Sequence, residues 1–136
     1  MSVAKDNAAN WRLPRACKLL IVDDSDVMRR RIERSQQFEE LEVVGTAANG
    51  LEALELFHKT DPDVVTMDIT MPQMDGIECI EKLVGLKPAV RILVISALAD
   101  KATAVEAMEK GANGFLHKPF TDRQLNESIA ELMRSD

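Results

Sequence analysis

Residues 63–76 read DVVTMDITMPQMDG and contain three aspartates in different settings. Asp63 follows a proline and Asp75 precedes a glycine, so both are predicted to lie in turns and to accept hydrogen bonds from nearby backbone amides. Asp68 instead follows the apolar run at 64–67, which has the length and β-branched content of a buried strand. A carboxylate at the end of such a strand needs a partner that offsets its desolvation. We therefore expect Asp68 to belong to a site that other parts of the chain complete.

Four other short apolar runs resemble the one at 64–67, and segments with helical periodicity separate them. The predicted strands are residues 19–22, 42–46, 64–67, 92–95 and 114–116. Apolar residues recur at helical spacing between the strands, as in Leu125, Ile129 and Leu132 near the end of the chain. This alternation predicts an α/β fold, a doubly wound five-stranded parallel sheet with helices on both faces.

Local signals mark where several of the helices begin and end. Asn49 and Glu52 have the spacing of a capping box ahead of the second helical segment. Thr121 and Gln124 repeat that spacing ahead of the last one, and Gly111 stands where a helix is expected to stop. These signals agree with the segmentation that the apolar pattern predicts.

The totals of the chain fit one compact domain preceded by a tail. Its 136 residues, 46% of them hydrophobic, are enough to bury a single core. Residues 1–17 show no periodicity and are predicted to form a flexible N-terminal tail, and residues 18–136 the folded domain. Cys17 and Cys79 have neither metal-ligand spacing nor clustered histidines nearby, so we expect reduced, structural thiols.

Charge and hydropathy argue against two classes of partner. The formal net charge of −6 opposes binding to nucleic acid, because an acidic surface cannot neutralise phosphates. No apolar run approaches the roughly 20 residues of a membrane span, and the N-terminal residues lack the apolar core of a secretory signal. We therefore expect a cytoplasmic protein that binds neither nucleic acid nor membrane.

Polar residues follow four of the five predicted strands. They are Asp23 and Asp24 after the first strand, Asp68 after the third, Ser96 after the fourth and Lys118 after the fifth. The carboxyl ends of parallel strands meet at one edge of the sheet, where the functional crevice of a doubly wound fold lies. Three carboxylates crowded there repel one another, so the site must either keep protons or hold a cation. A hard divalent ion is the simpler answer, and oxygen ligands of this kind suit Mg²⁺.

A magnesium ion, a lysine and a hydroxyl around a carboxylate are complementary to a phosphoryl group during transfer. In this interpretation Asp68 is the nucleophile, while Lys118 and the metal neutralise the equatorial oxygens. Ser96 donates a hydrogen bond to one of those oxygens. Asp23 and Asp24 bind the metal, although either of them alone could instead cap the first helix.

Four motifs in chain order, IVDDSD, VVTMDITMPQMDG, ILVISA and GANGFLHKPF, resemble the response-regulator receiver domain of two-component signalling. The resemblance covers about residues 18–133 and implies a flavodoxin-like (βα)5 fold with strand order 2-1-3-4-5. The roles that it implies are the phosphoacceptor for Asp68, metal binding for Asp23, Asp24 and Asp68, the switch hydroxyl for Ser96 and phosphoryl binding for Lys118. Phe115 falls at the position of the switch aromatic, and a cis peptide bond is expected before Pro119.

The resemblance also implies how the protein signals. A sensor histidine kinase would donate the phosphoryl group, and the domain would catalyse only its own phosphorylation and dephosphorylation, so it is not expected to be an enzyme. Ser96 and Phe115 would transmit the change to the face made by the fourth helix, fifth strand and fifth helix, where a target protein would bind. A monomer or a phosphorylation-induced dimer is expected.

Three outputs are compatible with these residues. The chain has no room for a separate output domain, so we expect a stand-alone regulator that acts as a messenger of the chemotaxis type. The alternative is a phosphorelay intermediate or phosphate sink that passes the phosphoryl group to a histidine phosphotransfer protein. A remote third function is that of an aspartate-nucleophile phosphatase, which is disfavoured because Thr70 stands where such hydrolases have a second aspartate.

Overall fold

The structure, a computed structural model, describes residues 17–36, 38–71, 74–98 and 100–134. Five strands alternate with five helices along these residues. The strands are β1 (Cys17–Val22), β2 (Leu41–Ala47), β3 (Val64–Met67), β4 (Arg91–Ser96) and β5 (Gly114–His117). The helices are α1 (Asp26–Ser35), α2 (Gly50–Thr60), α3 (Gly76–Leu86), α4 (Lys101–Glu109) and α5 (Asp122–Arg134). All five predicted strands are present, and β3 has the predicted bounds at both ends.

The strands form one parallel sheet in the order β2-β1-β3-β4-β5, which confirms the predicted doubly wound fold. Cys17, the last residue of the predicted N-terminal tail, is the first residue of β1. It pairs with Leu41, and its amide donates a 2.6 Å hydrogen bond to the carbonyl oxygen of Glu40. The rest of the predicted tail lies outside the described residues.

The core consists of two apolar clusters, one on each face of the sheet. Alternate residues of β1 divide between them, since Leu20 and Val22 pack on the face covered by α2 and α3, and Leu19 and Ile21 on the face covered by α1 and α5. The central strand β3 is buried on both faces along its whole length, as expected of a parallel sheet covered by two helical layers. None of the helices within the described residues has the length and apolar character needed to cross a membrane.

Capping side chains fix the starts of the helices largely as predicted. The Asn49 side chain accepts a hydrogen bond from the Glu52 amide, and the Glu52 carboxylate reaches back to the Ala48 amide. Thr121 and Gln124 form a reciprocal capping box at α5, with hydrogen bonds of 2.9 and 3.0 Å. These contacts satisfy backbone donors that have no partner within the helix.

Two predictions about local aspartate roles are corrected by the structure. The cap of α1 is Ser25, whose hydroxyl accepts from the Met28 amide, so neither Asp23 nor Asp24 caps this helix. Asp63 does not bind a nearby amide: its Oδ2 atom accepts a 2.9 Å hydrogen bond from the amide of Lys18, which lies 45 residues earlier. Its carboxylate therefore ties the start of β3 to the start of β1.

Asp75 accepts a hydrogen bond from the nearby Glu78 amide, as predicted; this bond caps α3, which the sequence analysis did not predict, and the glycine that follows has a packing role. A Cβ atom on Gly76 would lie 2.4 Å from the carbonyl oxygen of Asp68 and 2.4 Å from the Cα atom of Ile69. The first turn of α3 therefore rests directly on the backbone that carries Asp68. Only glycine permits this approach without a shift of one backbone segment.

Gly76→Ala is expected to lower the free energy of unfolding by about 1–3 kcal/mol, because the added methyl group meets backbone atoms. Gly85→Ala is the matched control in the last turn of the same helix, where an added Cβ has no neighbour within 4 Å. Alanine there should raise the free energy of unfolding by up to about 1 kcal/mol. Urea denaturation of both variants measures the difference, and equal changes would contradict the close approach of α3.

Candidate functional site

Backbone hydrogen bonds bring three loops to the same edge of the sheet. The Asp23 amide donates to the Ala47 carbonyl at 3.0 Å, and the Asp68 amide donates to the Val22 carbonyl at 2.9 Å. The Lys118 amide donates to the Ser96 carbonyl at 2.8 Å. The parallel ladder thus continues one step beyond the strands and fixes the backbone positions of the polar residues that follow them.

Asp23, Asp24 and Asp68 form a cluster in which one carboxylate oxygen from each lies within 4.8 Å of the other two. Asp23 and Asp68 are 1% and 3% exposed, whereas Asp24 faces solvent. The two buried carboxylates repel each other in surroundings that screen charge poorly. Their proximity is relieved either by a retained proton or by a neighbouring cation.

Lys118 provides one positive charge to this cluster. Its Nζ atom lies 2.9 Å from Asp23 Oδ2, within hydrogen-bond distance, and 3.7 Å from Asp68 Oδ2. Lys118 precedes Pro119, and the peptide bond between these two residues is cis, as the resemblance implied. One ammonium group shared by two carboxylates leaves the described cluster with excess negative charge.

The two carboxylate oxygens of Asp68 lie in different surroundings. Oδ1 accepts hydrogen bonds from the Thr70 amide at 3.1 Å and from the Thr70 hydroxyl at 3.2 Å, while Oδ2 faces Lys118. Burial raises the pKa of Asp68, because the ionised form loses its hydration. The hydrogen bonds from Thr70 and the charge of Lys118 oppose this rise, and the charge of Asp23 adds to it.

Ser96 is the last residue of β4, and Phe115 lies in the neighbouring strand β5. The Ser96 side chain is fully buried, and its Oγ atom accepts a 3.0 Å hydrogen bond from the Leu98 amide in the loop before α4. Its hydroxyl hydrogen is not used in that bond, so it can be donated elsewhere. Phe115 is half-buried and packs against the cluster on the α2 and α3 face.

The structure adds contacts that the sequence analysis did not predict. The guanidinium group of Arg29 donates a 2.6 Å hydrogen bond to the carbonyl oxygen of Asp23 and pairs with Asp26 at 2.6 Å. The spacing of Asp26 and Arg29 on α1 is a usable signal for that ion pair. The bond to Asp23 has no such local signal, since it depends on how the loop before α1 folds back. The hydroxyl of Thr70 was likewise not predicted to bind Asp68.

The residues of this cluster fit a hard divalent cation. Its ligands are carboxylate oxygens, which suit Mg²⁺, and the exposed position of Asp24 leaves room for the water ligands that Mg²⁺ retains. The buried thiol of Cys79 is not a ligand of this kind: burial raises its pKa to about 12, and it packs in the core. The acidic cluster could therefore hold a metal ion.

Together, the fold and the edge site define a class of protein, the doubly wound α/β domains with an acidic cluster, a hydroxyl and a lysine at the strand ends. The chain belongs to the response regulator receiver domain family, whose model matches residues 19–130. Within that family it is similar to chemotaxis regulators. It is 40% identical over 112 residues to the chemotaxis protein CheY of Listeria monocytogenes, covering 82% of this chain and 94% of that protein.

Two further comparisons show the range of proteins that contain this domain. The chain is 45% identical over 119 residues to a protein-glutamate methylesterase/protein-glutamine glutaminase of Pseudoalteromonas atlantica, which covers 85% of this chain and 31% of that protein. Among solved structures, the CheX-CheY-BeF3-Mg complex from Borrelia burgdorferi matches with a TM-score of 0.83 and 31% identity. That match covers 91% of this chain and 94% of the other.

The raised pKa of Asp68 predicts that its ionisation lowers the stability of the metal-free fold. The stabilising contribution of such a group is complete below the unfolded-state pKa and is lost as pH rises through the folded-state pKa. Asp68→Asn should therefore raise the free energy of unfolding near pH 7, on the order of 1–3 kcal/mol. Urea denaturation in the presence of a chelator should show this gain shrinking as pH falls toward about 4.

Asp75→Asn is the control for this measurement, because asparagine caps a helix about as well as aspartate. Asp75 is exposed and lies outside the acidic cluster, so its substitution should change the free energy of unfolding by less than about 0.5 kcal/mol. A gain for Asp68→Asn that does not depend on pH would contradict the inferred cost of ionisation.

Proposed function

We propose that this receiver domain accepts a phosphoryl group on Asp68 and changes its protein contacts when it is phosphorylated. The observation that carries the proposal is the meeting of Asp23, Asp68 and Lys118 at one edge of the sheet, with Asp24 beside them. A buried carboxylate, an acidic pair suited to a metal and a fixed ammonium group together match the needs of phosphoryl transfer.

In the proposed reaction a histidine kinase presents a phosphohistidine to the edge of the sheet. Asp68 Oδ2 attacks the phosphorus atom, the oxygen–phosphorus bond forms as the nitrogen–phosphorus bond breaks, and the imidazole leaves with the electron pair and takes up a proton. Thr70 holds the other oxygen of Asp68, which orients the carboxylate. Lys118 neutralises oxygens of the incoming group, and Ser96 offers its hydroxyl hydrogen to one of them.

Mg²⁺ is the proposed cofactor, held by Asp23, Asp24 and Asp68. When bound, it would neutralise charge on the phosphoryl oxygens and on the carboxylates. The chemistry of the three ligands supports this assignment, and so does the presence of Mg and the phosphoryl mimic BeF3 in the Borrelia CheY complex. The same ion would relieve the repulsion between Asp23 and Asp68 that Lys118 alone offsets only in part.

The proposed output is a change on the face formed by α4, β5 and α5. Ser96 ends β4 and binds the Leu98 amide, so a Ser96 hydroxyl drawn toward the phosphoryl group would pull on the loop before α4. The ring of Phe115, the switch aromatic, would change its position as Ser96 moves. This face already exposes Val105 and Met108 on α4, together with a cleft of about 510 Å³ beside α5. A target protein can bind such a surface.

A messenger of the chemotaxis type is the favoured form of this output. The match to a chemotaxis protein supports it, because that match extends over 94% of the relative's own length. Transfer to a histidine phosphotransfer protein is the alternative. Phosphatase activity is disfavoured, since Thr70 supplies a hydroxyl hydrogen bond to Asp68 and has no carboxylate to act as acid or base.

Asp68→Asn is expected to abolish labelling by a small phosphoryl donor such as acetyl phosphate, because the amide is not a nucleophile. Wild-type protein should take up one phosphoryl group in Mg²⁺ and almost none in a chelator. Asp75→Asn is the matched control and should be labelled like the wild type. Intact-protein mass spectrometry measures the stoichiometry, and full labelling of Asp68→Asn would refute the assignment of the phosphoacceptor.

The messenger and relay functions predict different partners for the phosphorylated protein. A messenger should bind a protein other than its kinase at least roughly tenfold more tightly when beryllofluoride is present, as expected of a population shift of about 1.4 kcal/mol or more. A relay intermediate should instead transfer labelled phosphate from Asp68 to a histidine. Affinity capture with and without the mimic, followed by phosphotransfer assays on the captured proteins, separates the two. Transfer to histidine with no mimic-dependent target would overturn the messenger assignment.

A further inference from the structure

Arg31 of α1 contacts the loop that follows Lys118 in three ways. Its guanidinium group donates a 2.5 Å hydrogen bond to the carbonyl oxygen of Phe120 and lies 3.3 Å from Asp122 Oδ1. The same group stacks over the ring of Phe120, with its carbon atom 4.3 Å from the ring centroid. Arginine suits this position, because one planar group can bind a carbonyl, pair with a carboxylate and stack on an aromatic ring together.

These contacts lie on the C-terminal side of Lys118, where the chain no longer pairs with the sheet. The Lys118 amide is fixed to β4 through the Ser96 carbonyl, but the chain then leaves the sheet on its way to α5. The next fixed point is Phe120, which is 5% exposed and buried in the cluster on the α1 and α5 face. Arg31 fastens this second point to α1, so the backbone that carries Lys118 is held from both sides.

A purely structural explanation for Arg31 is a tie between α1 and α5. Another residue already makes that tie, since the Asn126 side chain donates 2.8 Å hydrogen bonds to the carbonyl oxygens of Ser35 and Asp122. Arg31 binds instead in the loop and at the first residue of α5. Its contacts are thus concentrated within four residues of Lys118.

We propose that Arg31 is a positioning residue that sets where the Lys118 ammonium group lies relative to Asp23 and Asp68. This inference rests on the proposed phosphoryl transfer to Asp68. Loss of Arg31 would free Phe120 and let the Lys118 side chain move away from Asp23, to which it is now bound at 2.9 Å. Displacement of a catalytic group by about 1 Å costs up to about a hundredfold in rate. Because the bond to Ser96 remains, a loss of roughly tenfold is expected for Arg31→Gln.

The first experiment measures labelling of Asp68 by acetyl phosphate in saturating Mg²⁺, with no kinase present. A small donor separates the positioning of Lys118 from any effect of α1 on kinase docking. Arg30→Gln is the matched control, because it removes the same charge from the same helix but Arg30 pairs only with Asp26 among the contacts found for its side chain. Arg31→Gln should be labelled roughly tenfold more slowly, and Arg30→Gln within about twofold of the wild type.

A second readout distinguishes positioning from general damage to the site. Lys118 competes electrostatically with a cation for Asp23, so Arg31→Gln should bind Mg²⁺ as tightly as the wild type or more tightly, while labelling falls. Amide chemical shifts of residues 23, 24 and 68 during a Mg²⁺ titration measure the affinity. Weaker Mg²⁺ binding in parallel with slower labelling would show a disrupted site and overturn the proposal.

A double-mutant cycle with Lys118→Ala tests whether Arg31 acts through the lysine. In a Lys118→Ala background, Arg31→Gln should have no further effect on the labelling rate, and a further tenfold loss would overturn the proposal. The NMR chemical shifts of the Lys118 ε-methylene group, recorded in the unphosphorylated, metal-free protein, report the position of this side chain without any reaction. These signals should move in Arg31→Gln and stay in place in Arg30→Gln.

Arg31→Lys keeps the charge but lacks the planar group that stacks on Phe120, so only partial recovery of the labelling rate is expected. If wild-type protein takes no label on Asp68, the proposed function fails and this inference fails with it. If the wild type is labelled and Arg31→Gln behaves like Arg30→Gln, only the positioning role is overturned.

Discussion

Two carboxylates buried side by side, Asp23 and Asp68, impose the constraint around which the site is arranged. Removing such groups from water is costly, and their mutual repulsion adds to the cost. The compensating charge is the ammonium of Lys118, which is 95 residues away from Asp23 in the sequence. β1 and β5 are separated in the sheet by β3 and β4, so the site can form only when these four strands have paired. Assembly of the site therefore depends on contacts between distant parts of the chain.

The compensation is incomplete, and that is consistent with the proposed function. A single ammonium group lies near two buried carboxylates, and burial raises the pKa of Asp68 despite Lys118 and two hydrogen bonds from Thr70. A site with unbalanced negative charge gains free energy when it takes up a divalent cation. Real proteins concentrate such departures from ideal packing and pairing at functional sites. In this protein the apolar clusters on both faces of the sheet stabilise the fold and offset the unfavourable charge of the site.

The sequence predicts the fold well because its signals are local. Strand β3 appears as a short apolar run with no gap, and the polar residues at the strand ends could be grouped because parallel strands end at a common edge. Only Asp23 and Asp24 were considered as caps of α1 from the sequence, whereas Ser25 caps this helix and Asp23 is buried in the site. Contacts between distant segments could not be predicted, because no local sequence pattern marks them. Asp63 binding the Lys18 amide is one case, and Arg31 on Phe120 is another.

The arginines of α1 illustrate why such contacts require a structure. The sequence contains one basic run, Arg29, Arg30 and Arg31, and nothing in it shows which of these side chains face solvent. Helical geometry separates them by about 100° per residue, so neighbouring side chains point to different surroundings. Arg29 reaches the carbonyl of Asp23, Arg30 pairs with Asp26 on the exposed face, and Arg31 reaches the loop beyond Lys118. The first helix thereby contacts both the loop that carries the acidic pair and the loop that carries the lysine. A single rigid element that touches both loops fixes their separation more closely than either loop does alone.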